Sequence, residues 1–125
     1  MSALVAPPTL SVQQPADSSF LLFTVTFTAR YAPHEIGRQF ARSCAFFESD
    51  AGEPFGGDDD HITNTPIETY FPSSAEHTER FFVEIHKDLL DTESGGEEIY
   101  AIVHWRPANE TVSQTARTSE LPIAV

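Results

Sequence analysis

FLLFTVTFTARY, residues 20–31, alternates without a break: Phe23, Val25, Phe27, Ala29 and Tyr31 fall on one side, and Thr24, Thr26, Thr28 and Arg30 on the other. A period of two belongs to an extended strand with one face on a core and the other in water, which is the habit of an antiparallel sheet. No stretch of the chain carries a rival 3.6-residue pattern over the length of a helix. Only EIGRQFAR (35–42) and KDLLD (87–91) could form a helical turn.

Working outward, short apolar blocks separated by Pro, Gly, Asn and Asp predict strands over 9–14, 20–31, 40–48, 62–71, 79–86, 97–106 and 112–122. Seven short strands in one chain of 125 residues predict an all-β fold, a seven-stranded antiparallel two-sheet β-sandwich forming a single domain over 1–125. Residues 1–8, with Pro7 and Pro8 paired, read as an extended lead-in that could pair as an edge strand. Apolar residues make up 40% of the chain and include ten Phe, so a packed aromatic core is expected despite the charge.

That charge is a net −12, from 19 acids against seven Lys and Arg. Such a field repels phosphate backbones and anionic lipid headgroups, which argues against nucleic acid and membrane surfaces as partners and leaves cations and basic protein faces. Cys44 is the only cysteine, so neither an intrachain disulfide nor a multi-thiolate zinc site can form. MSALVAPPTL lacks a basic leader, and its apolar stretch is broken by prolines. A cytoplasmic, reducing setting is the expectation.

The segment LLDTESGGEEIYAIVHW, residues 89–105, resembles the corner and following strand of immunoglobulin-like and fibronectin type III-like domains, in which a tyrosine near the strand start bonds back to the corner. Tyr100 stands at the matching place, with Ile102 where antibody domains keep a cysteine. There is no cysteine pair, and Trp105 falls in this strand rather than in the third, so the resemblance implies an immunoglobulin-like sandwich of a non-antibody kind. It implies nothing about activity, because this fold carries many.

In that strand order the loops at 15–19, 49–61 and 87–96 gather at one end of the sandwich. With Glu48, Glu97 and Glu98 at their flanks they bring twelve of the acids together, including Asp50, Asp58, Asp59, Asp60, Asp91 and Glu93, against Lys87 alone. Calcium takes six to eight oxygen ligands, so this acidic pole is the candidate metal site, although DAGEPFGGDDDH does not fit the spacing of an EF-hand loop. The alternative is a solvated, solubilising pole or a docking surface for a basic protein. No two of the five histidines have metal-ligand spacing, and His104 shares a face with Tyr100 and Ile102.

No nucleophile elbow, P-loop or dinucleotide fingerprint is present, and Cys44 in RSCAFF reads as a buried structural thiol. Adjacent phenylalanines at 46–47 and 81–82 must point to opposite faces of their strands, so one of each pair turns outward. Phe47 and Phe82, joined by Tyr70 or Trp105, are therefore the candidates for an apolar patch that meets a protein partner, a second copy or a sugar. The chain reads as a non-enzymatic interaction module needing no cofactor. A calcium- and carbohydrate-binding module is the alternative.

Overall fold

The computed structural model describes residues 3–14, 19–49, 60–90 and 97–123, the side chains of Asp60 and Glu97 excepted. Among these residues ten strands run in order: β1 (Ala3–Leu4), β2 (Thr9–Gln13), β3 (Phe20–Arg30), β4 (Phe40–Glu48), β5 (Asp60–Asn64), β6 (Glu68–Tyr70), β7 (Glu76–His86), β8 (Glu97–Pro107), β9 (Gln114–Arg117) and β10 (Leu121–Ile123). All pairings are antiparallel. Of the two segments with helical potential, EIGRQFAR contributes only Glu35 to the 3-10 turn Pro33–Glu35 and ends inside β4, whereas KDLLD holds a single 3-10 turn at Lys87–Leu89. In the first, the Glu35 carboxylate accepts the Ala32 N–H and Gly37 takes a positive φ to release the chain into β4, which starts at Phe40 and so excludes a longer helix.

The ten strands occupy seven lanes. In one sheet β1 and β2 lie in line along one side of β3, and β7 lies along the other. In the second sheet β9 and β10 lie in line along β8, β8 pairs with β4, and β5 and β6 lie in line along the far side of β4. The count exceeds the expected seven because three edge lanes are each broken once. Pro7 and Pro8 separate β1 from β2, and Pro66 separates β5 from β6, since proline has no N–H for a ladder. Between β9 and β10, Thr118 leaves the regular ladder, its hydroxyl accepting the Ala101 N–H while its own N–H donates to the Ala101 carbonyl.

The alternation that identified β3 becomes the core. Leu21, Phe23, Val25, Phe27 and Ala29 are all buried, and across the sandwich they meet Phe40, Cys44 and Phe46 of β4 and Ile99, Ala101, Val103 and Trp105 of β8. Phe27 is the hub: its ring stacks on Phe81 and contacts Tyr70 and Trp105 from the opposite sheet. Inward alternation on β4 also turns Arg42 and Glu48 toward the interior.

Candidate functional site

Strand β7 is the outermost lane of its sheet. It pairs with β3 through eleven successive residues, Phe20↔His86 to Arg30↔Glu76, with no bulge. Backbone groups in an antiparallel strand alternate in direction, and two flanking bonds fix the phase: Tyr31 N–H to the Ala75 carbonyl and Lys87 N–H to the Ser19 carbonyl. Odd-numbered residues of β7 therefore bond to β3, and Thr78, Arg80, Phe82 and Glu84 turn their N–H and C=O groups outward. Of these, the Arg80 carbonyl accepts a 2.7 Å bond from Arg42 Nη1, and no strand among the described residues pairs with the rest.

The side chains at this edge are unusual for an unguarded strand. Phe82 is 68% exposed, flanked by exposed Arg80 and Glu84, on the face turned away from the core. A groove of about 320 Å3 runs beside it, between Phe81–Glu84 and Thr63–Pro66, the end of β5 and the start of its link to β6. Phe82 is thus the outward member of its pair, as the sequence predicts. The open edge itself had no signal in the sequence, because strand neighbours are not encoded in local alternation.

Beneath the edge lies a polar cluster that seals the sandwich. The Arg42 guanidinium lies 4.3 Å over the Phe81 ring and 3.5 Å from both Glu68 and Glu79. Glu79 accepts from His77 Nε2 at 2.7 Å, the Ser73 N–H donates to His77 Nδ1, and the imidazole stacks on Tyr70. The tautomer with hydrogen on Nε2 satisfies both bonds. Tyr70 and Tyr31 share a buried hydroxyl–hydroxyl bond of 2.6 Å. Burial pushes the Tyr31 phenol up to about 12 despite that bond, and burial first, then the Tyr31 hydroxyl, raises Tyr70 further. His77 is therefore a structural residue rather than an exposed loop histidine.

Tyr70 and Trp105, expected in an outward patch, are 7% and 3% exposed and belong to the core. The reason is register: both share the inward face of their strands, and Phe27 packs against each. Phe47 does turn outward, on the outer face of the second sheet, but it is laminated. His61, Phe47, Tyr100 and Arg117 form one row across β5, β4, β8 and β9, with Phe47 stacked on Tyr100 and the Arg117 guanidinium 3.6 Å from the Tyr100 centroid. Tyr100 therefore stands on the outer face with Ile102 and His104, whereas an immunoglobulin-type corner tyrosine shares the face of the core cysteine two residues on. Farther along this face, Ala41, Ser43 and Ala45 floor a groove of about 500 Å3 walled by Pro66, Ile67, His104 and Arg106. Ser43 and His104 are cross-strand neighbours there, and no acid among the described residues lines the groove.

At the far end, the described flanks of the three acidic segments converge. Phe20 lies opposite His86, Glu48 opposite Ile99 and Asp60, and the Ser49 N–H donates to the Glu98 carbonyl. Asp50, Asp58, Asp59, Asp91 and Glu93 lie outside the described residues, and Asp60 is the first residue of β5. Among the described residues no three His, Cys, Asp or Glu side chains form a group able to hold a metal ion. Glu48 is buried at a strand end. A hydrogen bond with the Glu120 carboxyl, reinforced by its charge, raises the Glu98 carboxyl above the ordinary range. Cys44 is buried, and desolvation pushes its thiol up to about 12, which leaves it unsuited to nucleophilic work.

The chain matches no protein-family model and no curated protein. No helix among the described residues is long and apolar enough to cross a membrane.

Proposed function

We propose that this domain is a non-enzymatic protein-interaction module that takes an extended segment of a protein along the open edge of β7, centred on Phe82. The carrying observation is an eleven-residue, bulge-free edge strand whose middle presents outward backbone groups and a 68% exposed Phe beside a groove. Adding a strand to such an edge supplies main-chain hydrogen bonds for affinity and alternate side chains for specificity. The three-lane sheet facing a four-lane sheet supports an immunoglobulin-like or fibronectin type III-like arrangement, in which no strand among the described residues lies beyond β7 in the smaller sheet. The single buried thiol supports a reducing, cytoplasmic setting.

The reading is tested by panning displayed 12-residue peptides on the folded domain and on Phe82→Pro, which removes an outward N–H without touching the β3 ladder. Recovered sequences should alternate apolar and polar residues, bind with little salt dependence, and lose the proline variant. Peptides that bind both proteins equally would refute it.

A second reading places calcium at the acidic pole, favoured by the convergence of the described flanks of the three acid-rich segments and by the neighbouring Glu98 and Glu120 carboxyls. A selective site would raise the melting midpoint with CaCl2, by ~2.7 kcal/mol of added stability at a hundredfold excess over the dissociation constant. An equal rise with MgCl2 and matched NaCl would reduce the pole to screened repulsion.

A further inference from the structure

We propose that the segment docking on β7 is β7 of a second copy of this chain, paired antiparallel about a two-fold axis through Phe82. This rests on the edge-docking reading above and names its partner. Such a contact is isologous, so each residue's partner is fixed once the axis is chosen.

The outward backbone groups belong to even-numbered residues, and the sequence around Phe82 is self-complementary in that phase. With Phe82 opposite Phe82 of the second copy, Arg80 falls opposite its Glu84 and Glu84 opposite its Arg80, so two opposite-charge pairs bracket an aromatic pair on the outer face. On the inner face Phe81 falls opposite the second copy's Val83, covering a residue that is half-buried in the single chain. Moving the axis to Arg80 sets Arg80 against Arg80 and Glu76 against Glu84. Moving it to Glu84 sets like carboxylates against each other. Only the Phe82 axis makes both charges attractive.

The wider charge distribution selects the same orientation. The acid-rich segments leave from the His86 end of β7. A parallel pair would stack the two acidic ends, whereas the antiparallel pair sends them to opposite ends of the dimer. The product joins two three-lane sheets into one continuous sheet and covers the β7 edge of each copy, leaving the broken β1–β2 lanes at its outer margins. The Arg80 carbonyl keeps a second lone pair for the incoming N–H while it accepts from Arg42.

The test is sedimentation velocity at 0.15 M salt, from about 1 µM to about 1 mM chain, a span that covers weak and moderate dimers. Wild type is compared with Arg80→Glu, Glu84→Arg and the double swap. Wild type should shift from monomer to dimer with concentration. By symmetry each single swap converts both charge pairs to like-charge pairs and should weaken the dimer about tenfold to thirtyfold, while the double swap restores it to within about threefold. Both substitutions are at exposed positions, and matching melts at the lowest concentration confirm that each of the three variants folds. A wild type that stays monomeric throughout, or a dimer indifferent to the swaps, would overturn the proposal. If peptides selected on the edge still lose binding on Phe82→Pro in that case, edge docking stands and only the partner is wrong; if they do not, both fall.

Discussion

Proline placed one residue apart on β7 should have very different consequences. The Val83 N–H points to β3, opposite Phe23, while the Phe82 N–H points out of the sheet. Val83→Pro removes a ladder bond, leaves the carbonyl of the fully buried Phe23 without its donor, and drives a ring toward β3; together these cost about 3–4 kcal/mol or more. Phe82→Pro breaks no ladder bond. Being 68% exposed, Phe82 has only a third of its side-chain burial to lose, roughly 0.5–1 kcal/mol on a scale of about 1.5–3 for full burial. At about 4 °C per kcal/mol for a chain of this length, the melting midpoint should fall by more than about 12 °C for Val83→Pro and by under about 4 °C for Phe82→Pro. Circular-dichroism melts at low micromolar concentration read the difference, and Val83→Ala and Phe82→Ala separate side-chain loss from the backbone effect. Equal losses for the two prolines would refute the assigned phase of β7 and, with it, the open edge.

Tyr31→Phe leaves the buried Tyr70 hydroxyl without its partner and should cost about 1–3 kcal/mol in denaturant titrations, whereas adding Tyr70→Phe should cost less than the sum of the two single changes. Because Tyr31 titrates near 12 when folded and near 10 when unfolded, its contribution is fully present below about pH 10 and is lost as pH rises through 12, so pH-resolved melts should show alkaline destabilisation that Tyr31→Phe reduces. Cys44 should resist thiol reagents at pH 8 in the native protein and react at once in denaturant; fast native labelling would contradict its burial. With its folded titration raised, Glu98 favours the native state once protonated and loses that contribution as pH rises through its folded value, so Glu98→Gln should flatten the acid limb of stability against pH.

Alternation made the sandwich legible. The pattern over 20–31 gave Phe23, Val25, Phe27, Ala29 and Tyr31 as the inward set, all of them buried, and omitted only Leu21, while each pair of adjacent phenylalanines has one member turned outward, Phe47 and Phe82. Parity of loops also held, since the flanks of the acidic segments meet at one end. What failed depended on relations between strands. Whether Tyr70, Tyr100 and Trp105 face the core is decided by which phase each strand presents to its neighbours, and a run apolar on both sides, such as IYAIVHW, carries no phase of its own. Tyr100 thus resembled a corner tyrosine in position while standing on the other face. That β7 has no second neighbour among the described strands was equally hidden, because it follows from the lane between residues 60 and 70 joining β4 instead of β7.

Residue-resolved amide hydrogen exchange along β7, measured at low protein concentration, addresses the open edge most directly. The Phe81, Val83 and Ile85 amides should be strongly protected, and the Thr78, Phe82 and Glu84 amides should exchange at rates close to those of exposed loop residues. Protection of both sets in the dilute monomer would contradict the account.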